Sequence, residues 1–84
     1  MKSDEIYRII IKYVIEVTNL EEKKIPLDKS LLEEGLLDSF GIVELIDFLE
    51  NKFSIRIQDS EITKENLGSI NKMTIFVEKR IIEV

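Results

Sequence analysis

Three stretches of this chain place their apolar residues at helical spacing, and only one short stretch alternates with period two. A lone alternating run has no second strand to pair with, so the pattern restricts the fold to packed helices. From Ser3 to Val17, the residues Ile6, Ile9, Ile10, Tyr13, Val14 and Val17 recur at i, i+3, i+4 and i+7. Ser3 stands at an N-cap position, with Asp4 and Glu5 where a helix dipole favours acids. From Ser39 to about Lys52, a second helix is predicted. Its residues Ile42, Leu45, Ile46 and Leu49, continued by Phe53, form one narrow stripe that should face the core. Ser69 then caps a last helix whose inner face carries Ile70, Met73, Phe76, Val77 and Ile81.

The segments between these helices are uneven in length. Thr18 to Asp38 is a long connection containing Pro26, of a kind that tends to be functional or mobile. Within it, Ser30-Leu31-Leu32-Glu33 reads as a capping box opening one helical turn, and Gly35 reads as its end. Phe53-Ser54-Ile55-Arg56-Ile57 is the alternating run and is assigned as an extended loop. Asp59 to Asn66 is short and polar, with room for one or two helical turns around Ile62. The expected fold is all-α: a small bundle of three to four helices, with a long loop between the first two. At 84 residues, one domain spanning 1–84 is expected, with a core too small to enclose a deep cavity.

What the chain lacks narrows its chemistry. It contains no His, Cys or Trp. The common nucleophile–base pairs of hydrolases and thiol enzymes therefore cannot be built, and a zinc site would have to use carboxylates alone. The residues are 44% hydrophobic and 35% charged, a balance that reads as globular, not disordered. The first residues, Met1-Lys2-Ser3-Asp4-Glu5, put acids where a secretory signal carries basic residues, and no apolar run approaches a membrane span. A cytosolic monomer that is not an enzyme is expected.

Charge is concentrated. Between Ser30 and Asn51 stand Glu33, Glu34, Asp38, Glu44, Asp47 and Glu50, with no Lys or Arg. That window carries −6, so the remainder sums to +1 against a net charge of −5. Such a patch steers basic partners and repels nucleic-acid phosphates, although a solvated helix face is its commonest meaning. On the second helix, Phe40, Glu44, Asp47 and Asn51 lie opposite the core stripe, flanked by Val43 and Glu50. Phe40 is thus a bulky aromatic on the face that ought to be polar, either a lone surface residue or part of a partner surface.

The stretch Gly35-Leu36-Leu37-Asp38-Ser39-Phe40-Gly41-Ile42-Val43-Glu44-Leu45-Ile46 gives that face a context. Read generically, Ser39 is simply a helix N-cap. The whole stretch resembles the phosphopantetheine attachment site of acyl carrier proteins: Asp-Ser, a large apolar residue, then Val-Glu-Leu. The resemblance runs on through Leu49-Glu50, Phe53 to Ile57 and Asp59-Ser60-Glu61, and covers nearly the whole chain. Asp38 to Val43 followed by Glu61 to Ser69 is similar in spacing to D-alanyl carrier proteins. Gly41 stands where fatty-acid carriers usually have an acid, which favours an aminoacyl or specialised acyl cargo.

The resemblance implies that Ser39 carries a 4'-phosphopantetheine arm derived from coenzyme A, on whose thiol an acyl or aminoacyl group is held as a thioester. It implies as partners a phosphopantetheinyl transferase, which brings its own base and metal, and a loading ligase or synthase. Asp38, Phe40, Val43, Glu44, Asp47 and Ile62 are the candidate partner-binding residues: the apolar ones for contact, the acids for steering. Dipole stabilisation is the simpler role for Asp38, and solubility for Glu44 and Asp47. The competing reading is an unmodified helical adaptor whose acidic second helix binds a basic partner.

Overall fold

The computed structural model describes residues 1–82 of the chain. Four α-helices follow one another: α1 (Ser3–Thr18), α2 (Ser39–Phe53), α3 (Lys64–Leu67) and α4 (Ile70–Ile82), with single 3-10 turns at Glu22–Lys24 and Asp59–Glu61. No strand forms among the described residues.

The helix ends follow from local chemistry. α1 begins one residue earlier than its sequence predicts: Ser3 is already helical, and Lys2 is the cap. The Glu5 carboxylate accepts the Lys2 backbone N–H at 3.2 Å, which satisfies the group that a serine cap would have left open. At the far end Asn19 adopts the left-handed conformation (φ 59°) and donates its N–H to the Ile15 carbonyl at 2.8 Å. Ser54 ends α2 in the same conformation (φ 53°). Ser69 caps α4, its hydroxyl accepting the Lys72 N–H at 3.2 Å.

Among the described residues fourteen apolar side chains are buried, including Ile6, Ile10 and Val14 of α1, Leu45 and Leu49 of α2, and Ile70, Met73 and Val77 of α4. α1 and α2 both pack on α4, and a stack of Tyr13 on Phe48, with ring centroids 4.2 Å apart, joins α1 to α2. Two α1 assignments need correction. Ile11, outside the predicted stripe, is buried, and Val17, inside it, is half exposed at 49%. Ile9, Ile10 and Ile11 are consecutive, so spacing alone could not fix the rotation of the apolar face.

The long first loop is ordered by the core beneath it. Ile25 and Leu31 are buried in the cluster, and the Asn71 backbone N–H, at the start of α4, donates to the Leu27 carbonyl at 3.0 Å. The Asn71 side chain adds a 2.7 Å bond to Asp28. The helical turn after Ser30 forms, with the Ser30 hydroxyl accepting the Glu33 N–H at 3.1 Å and Gly35 ending it at φ 76°. The reciprocal half of that capping box is replaced, because the Glu33 carboxylate binds Lys64 at 2.8 Å. The Phe53 to Ile57 run, assigned as an extended loop, is so only in part: Phe53 closes α2 and Ser54 is left-handed, so Ile55 to Ile57 alone form the irregular connection. Phe53 and Ile57 point into the core, and the Ile57 N–H is held by the Glu50 carboxylate at 2.8 Å. The polar segment around Ile62 holds the Asp59–Glu61 turn before it and the single turn of α3 after it. Gly68 joins α3 to α4 at a close approach: a Cβ there would lie 2.3 Å from the Lys64 carbonyl oxygen.

Candidate functional site

The head of α2 is built by Asp38. Its backbone is extended, and its carboxylate oxygen Oδ1 accepts the Gly41 N–H at 2.7 Å. Asp38 is therefore the N-cap, a task assigned on generic grounds to Ser39, and Ser39 becomes the first residue of the helix. Its side chain is exposed, and no described group hydrogen-bonds to its hydroxyl. Gly41 keeps the arrangement tight, since a Cβ there would sit 3.3 Å from the Asp38 carboxylate and 3.4 Å from the Leu37 side chain.

The remaining predicted residues share the solvent side of α2 with Ser39. Phe40 is 71% exposed and Val43 55%, beside the exposed acids Glu44 and Asp47. Two apolar groups this open, flanked by acids, form a larger feature than an isolated surface side chain. Ile62, 42% exposed, occupies the corner between the Asp59–Glu61 turn and α3. It lines a cleft with Ile42 and Ile46, which puts it beside α2 although 16 or more residues separate them in sequence.

The acidic window is less uniform than its sequence suggests. Glu33 is paired with Lys64, whose ammonium holds the carboxyl below its usual range. Glu50 is committed to the Ile57 N–H. Glu44 and Asp47 stay solvated on the outer face, and their charge reaches Tyr13, whose phenol is pushed up first by burial and then by these two carboxylates.

Three features had no local sequence signal. One is an apolar cleft of about 200 Å³ between α2, α3 and α4, floored by Leu45, Leu49, Leu67 and Met73. Another is the Glu33–Lys64 pair at its edge, across 31 residues. The third is Arg80, which joins α4 to Glu61 and to the Arg56 carbonyl. Among the described residues no group of acids is arranged to hold a metal ion, and no helix is long and apolar enough to cross a membrane.

A small helical bundle that offers a bare hydroxyl at a helix head, capped by its neighbour and ringed by apolar and acidic side chains, has the form of a carrier domain. Comparison with known proteins agrees: the phosphopantetheine attachment site family matches residues 8–76. The chain belongs to that family of phosphopantetheine-binding carriers, and its prosthetic group is covalently attached phosphopantetheine. Among curated relatives, the D-alanyl carrier protein of Streptococcus sanguinis (strain SK36) is 40% identical over 60 residues, covering 71% of this chain and 76% of the relative. The D-alanyl carrier proteins of Streptococcus gordonii (strain Challis) and Streptococcus suis (strain 05ZYH33) are each 38% identical, with the same coverage.

The head of α2 fits such a group. Attachment through a phosphodiester needs an accessible hydroxyl with no competing acceptor, and Ser39 has both properties. The prosthetic group supplies a terminal thiol for thioester chemistry, which the cysteine-free chain lacks.

Proposed function

We propose that Ser39 is the attachment residue and that residues 1–84 act as one cytosolic, monomeric carrier domain for a small aminoacyl group of the D-alanyl type. The observation that carries this reading is the division of roles at the head of α2. Asp38 satisfies the helix terminus, so the Ser39 oxygen is not needed for folding and faces solvent. That oxygen can attack the pantetheine-bearing phosphorus of coenzyme A, forming the serine P–O bond as the pyrophosphate P–O bond breaks and adenosine 3',5'-bisphosphate leaves. Its proton leaves to a base on the transferase, since no described side chain is bonded to it. The cargo assignment is supported by the D-alanyl carrier relatives and by Gly41, whose place an acid takes in fatty-acid carriers.

Partner enzymes meet the face formed by Phe40, Val43 and Ile62, with Asp38, Glu44 and Asp47 steering Arg and Lys groups of the transferase and of an adenylating ligase. The test is mass spectrometry after incubation with coenzyme A and a broad-specificity phosphopantetheinyl transferase. Wild type should gain one phosphopantetheine and Ser39→Ala none, with the helical circular dichroism of the two proteins alike. A wild type left at its encoded mass, under conditions that modify a control carrier, would instead establish the unmodified adaptor. Holo protein should then accept D-alanine from an adenylating ligase as a hydroxylamine-labile adduct, and exclusive loading of long acyl chains would reject the cargo assignment.

A further inference from the structure

Ile62 is the one apolar candidate for docking that α2 does not carry. It sits on a corner with little helix of its own, so something must fix that corner. On the C-terminal side, the Thr63 hydroxyl caps α3 by accepting the Asn66 N–H at 3.2 Å, and the Asn66 side chain returns to the Glu61 carbonyl at 3.0 Å. On the N-terminal side, the Glu61 carboxylate is the anchor. It accepts the Gln58 N–H at 3.0 Å and takes both terminal nitrogens of the Arg80 guanidinium, from the last turns of α4. The same guanidinium donates to the Arg56 carbonyl at 2.6 Å and lies 4.9 Å from the centre of the Phe76 ring.

This pair differs in kind from an ordinary surface contact. The Arg80 and Glu61 side chains are only 26% and 25% exposed, against 83% and 60% for Lys64 and Glu33. A forked guanidinium meeting a carboxylate through two bonds fixes orientation as well as distance, and a partly shielded pair is screened less by salt.

The geometry points to Arg80 as a positioning residue for partner docking: through Glu61 and the Arg56 carbonyl it holds Ile62 in place beside Ile42 and Ile46 of α2. The inference rests on the docking role proposed above for Ile62. Arg80 touches neither Ser39 nor the reacting atoms, so its loss acts on the encounter with the partner and not on the transfer step.

The experiment measures KM and kcat of phosphopantetheinyl transfer for wild type, Arg80→Gln, Arg80→Lys, Ile62→Ala and the Arg80→Gln/Ile62→Ala double variant. Each is confirmed folded by circular dichroism. Arg80→Gln should raise KM about three- to tenfold with kcat within about twofold, which corresponds to lost ground-state and transition-state binding in equal measure. Arg80→Lys, which keeps the charge but not the fork, should recover part of the loss. The double variant should be no worse than Ile62→Ala alone, because both changes remove the same contact. Wild-type KM in folded Arg80→Gln, a fall in kcat alone, or multiplicative effects in the double variant would each overturn the assignment. If Arg80→Gln fails to fold, Glu61→Gln is judged by the same criteria, since it leaves Arg80 its Arg56 and Phe76 contacts. A wild type that is not modified at all overturns the carrier reading itself and the inference with it, an outcome distinct from an Arg80 variant that behaves as wild type.

Discussion

At position 38 a carboxylate is committed to a backbone N–H, and at position 39 a hydroxyl has no hydrogen-bond partner among the described residues. These adjacent residues can be tested separately. Asp38→Ala should lower unfolding free energy by about 1 kcal/mol, the usual cost of a lost N-cap, read from urea denaturation. Asp38→Asn keeps a capping oxygen and should stay within a few tenths of a kcal/mol of wild type. If the negative charge also guides the transferase, Asp38→Asn should slow modification despite its retained stability. Equal rates would leave Asp38 with the cap alone. The importance of the Asp-Ser pair is legible in the sequence, but the assignment within it is not. Both residue types are good caps, and the choice depends on where the helix dihedrals begin.

Among the elements, α2 carries most of the proposed docking residues and α4 carries the supports. Reversing charge on the outer face of α2, by Glu44→Lys or Asp47→Lys, should raise KM for the transferase several-fold. Added salt should shrink the difference between variant and wild type, because exposed charges are screened within about 8 Å at physiological ionic strength. Rates indifferent to both would remove acidic steering from the account.

The supports respond to pH. The hydrogen bond from Arg80, and then that from the Gln58 N–H, holds the Glu61 carboxyl below its ordinary value of 4.5. A carboxyl depressed in the folded state adds stability that is fully present above its unfolded value. It is lost as pH falls through the folded value. Lys64 gives Glu33 the same sign. The stability gap between wild type and Glu61→Gln should therefore be constant near neutrality and narrow below pH 4.5, as urea midpoints across pH would show. Helix existence and the inner stripes of α2 and α4 were readable from spacing. The rotation of α1 was not, because three adjacent isoleucines offer several equivalent faces. The Arg80–Glu61 link was hidden too, since 19 residues separate the pair and nothing local marks it.

For the molecule as a whole, stability depends on a small core. Domains are stable by roughly 0.05–0.15 kcal/mol per residue, and truncating a fully buried leucine costs about 2–5 kcal/mol. Leu49, completely buried where α2 meets the cleft, should on conversion to alanine cost much of the total and lower the melting temperature by ten degrees or more, about 4–8 °C per kcal/mol. A calorimetric scan unchanged within about two degrees would show that the cleft collapses to fill the space. The bundle class was legible because its apolar periodicity is strong. The ordering of the long loop was not. Its pegs, Ile25 and Leu31, look like incidental apolar residues until the helices assemble the core they join, and Asn71 reaches Asp28 across 43 positions.

The separation of cap from hydroxyl also has a use in the laboratory. Because the helix start does not rely on residue 39, a Ser39→Cys variant should fold like the parent and display a sole sulfhydryl, at a helix N-terminus that favours the thiolate. Maleimide dyes or synthetic pantetheine mimics could then be coupled at that one point, giving a stable, non-hydrolysable stand-in for trapping and imaging complexes with partner enzymes.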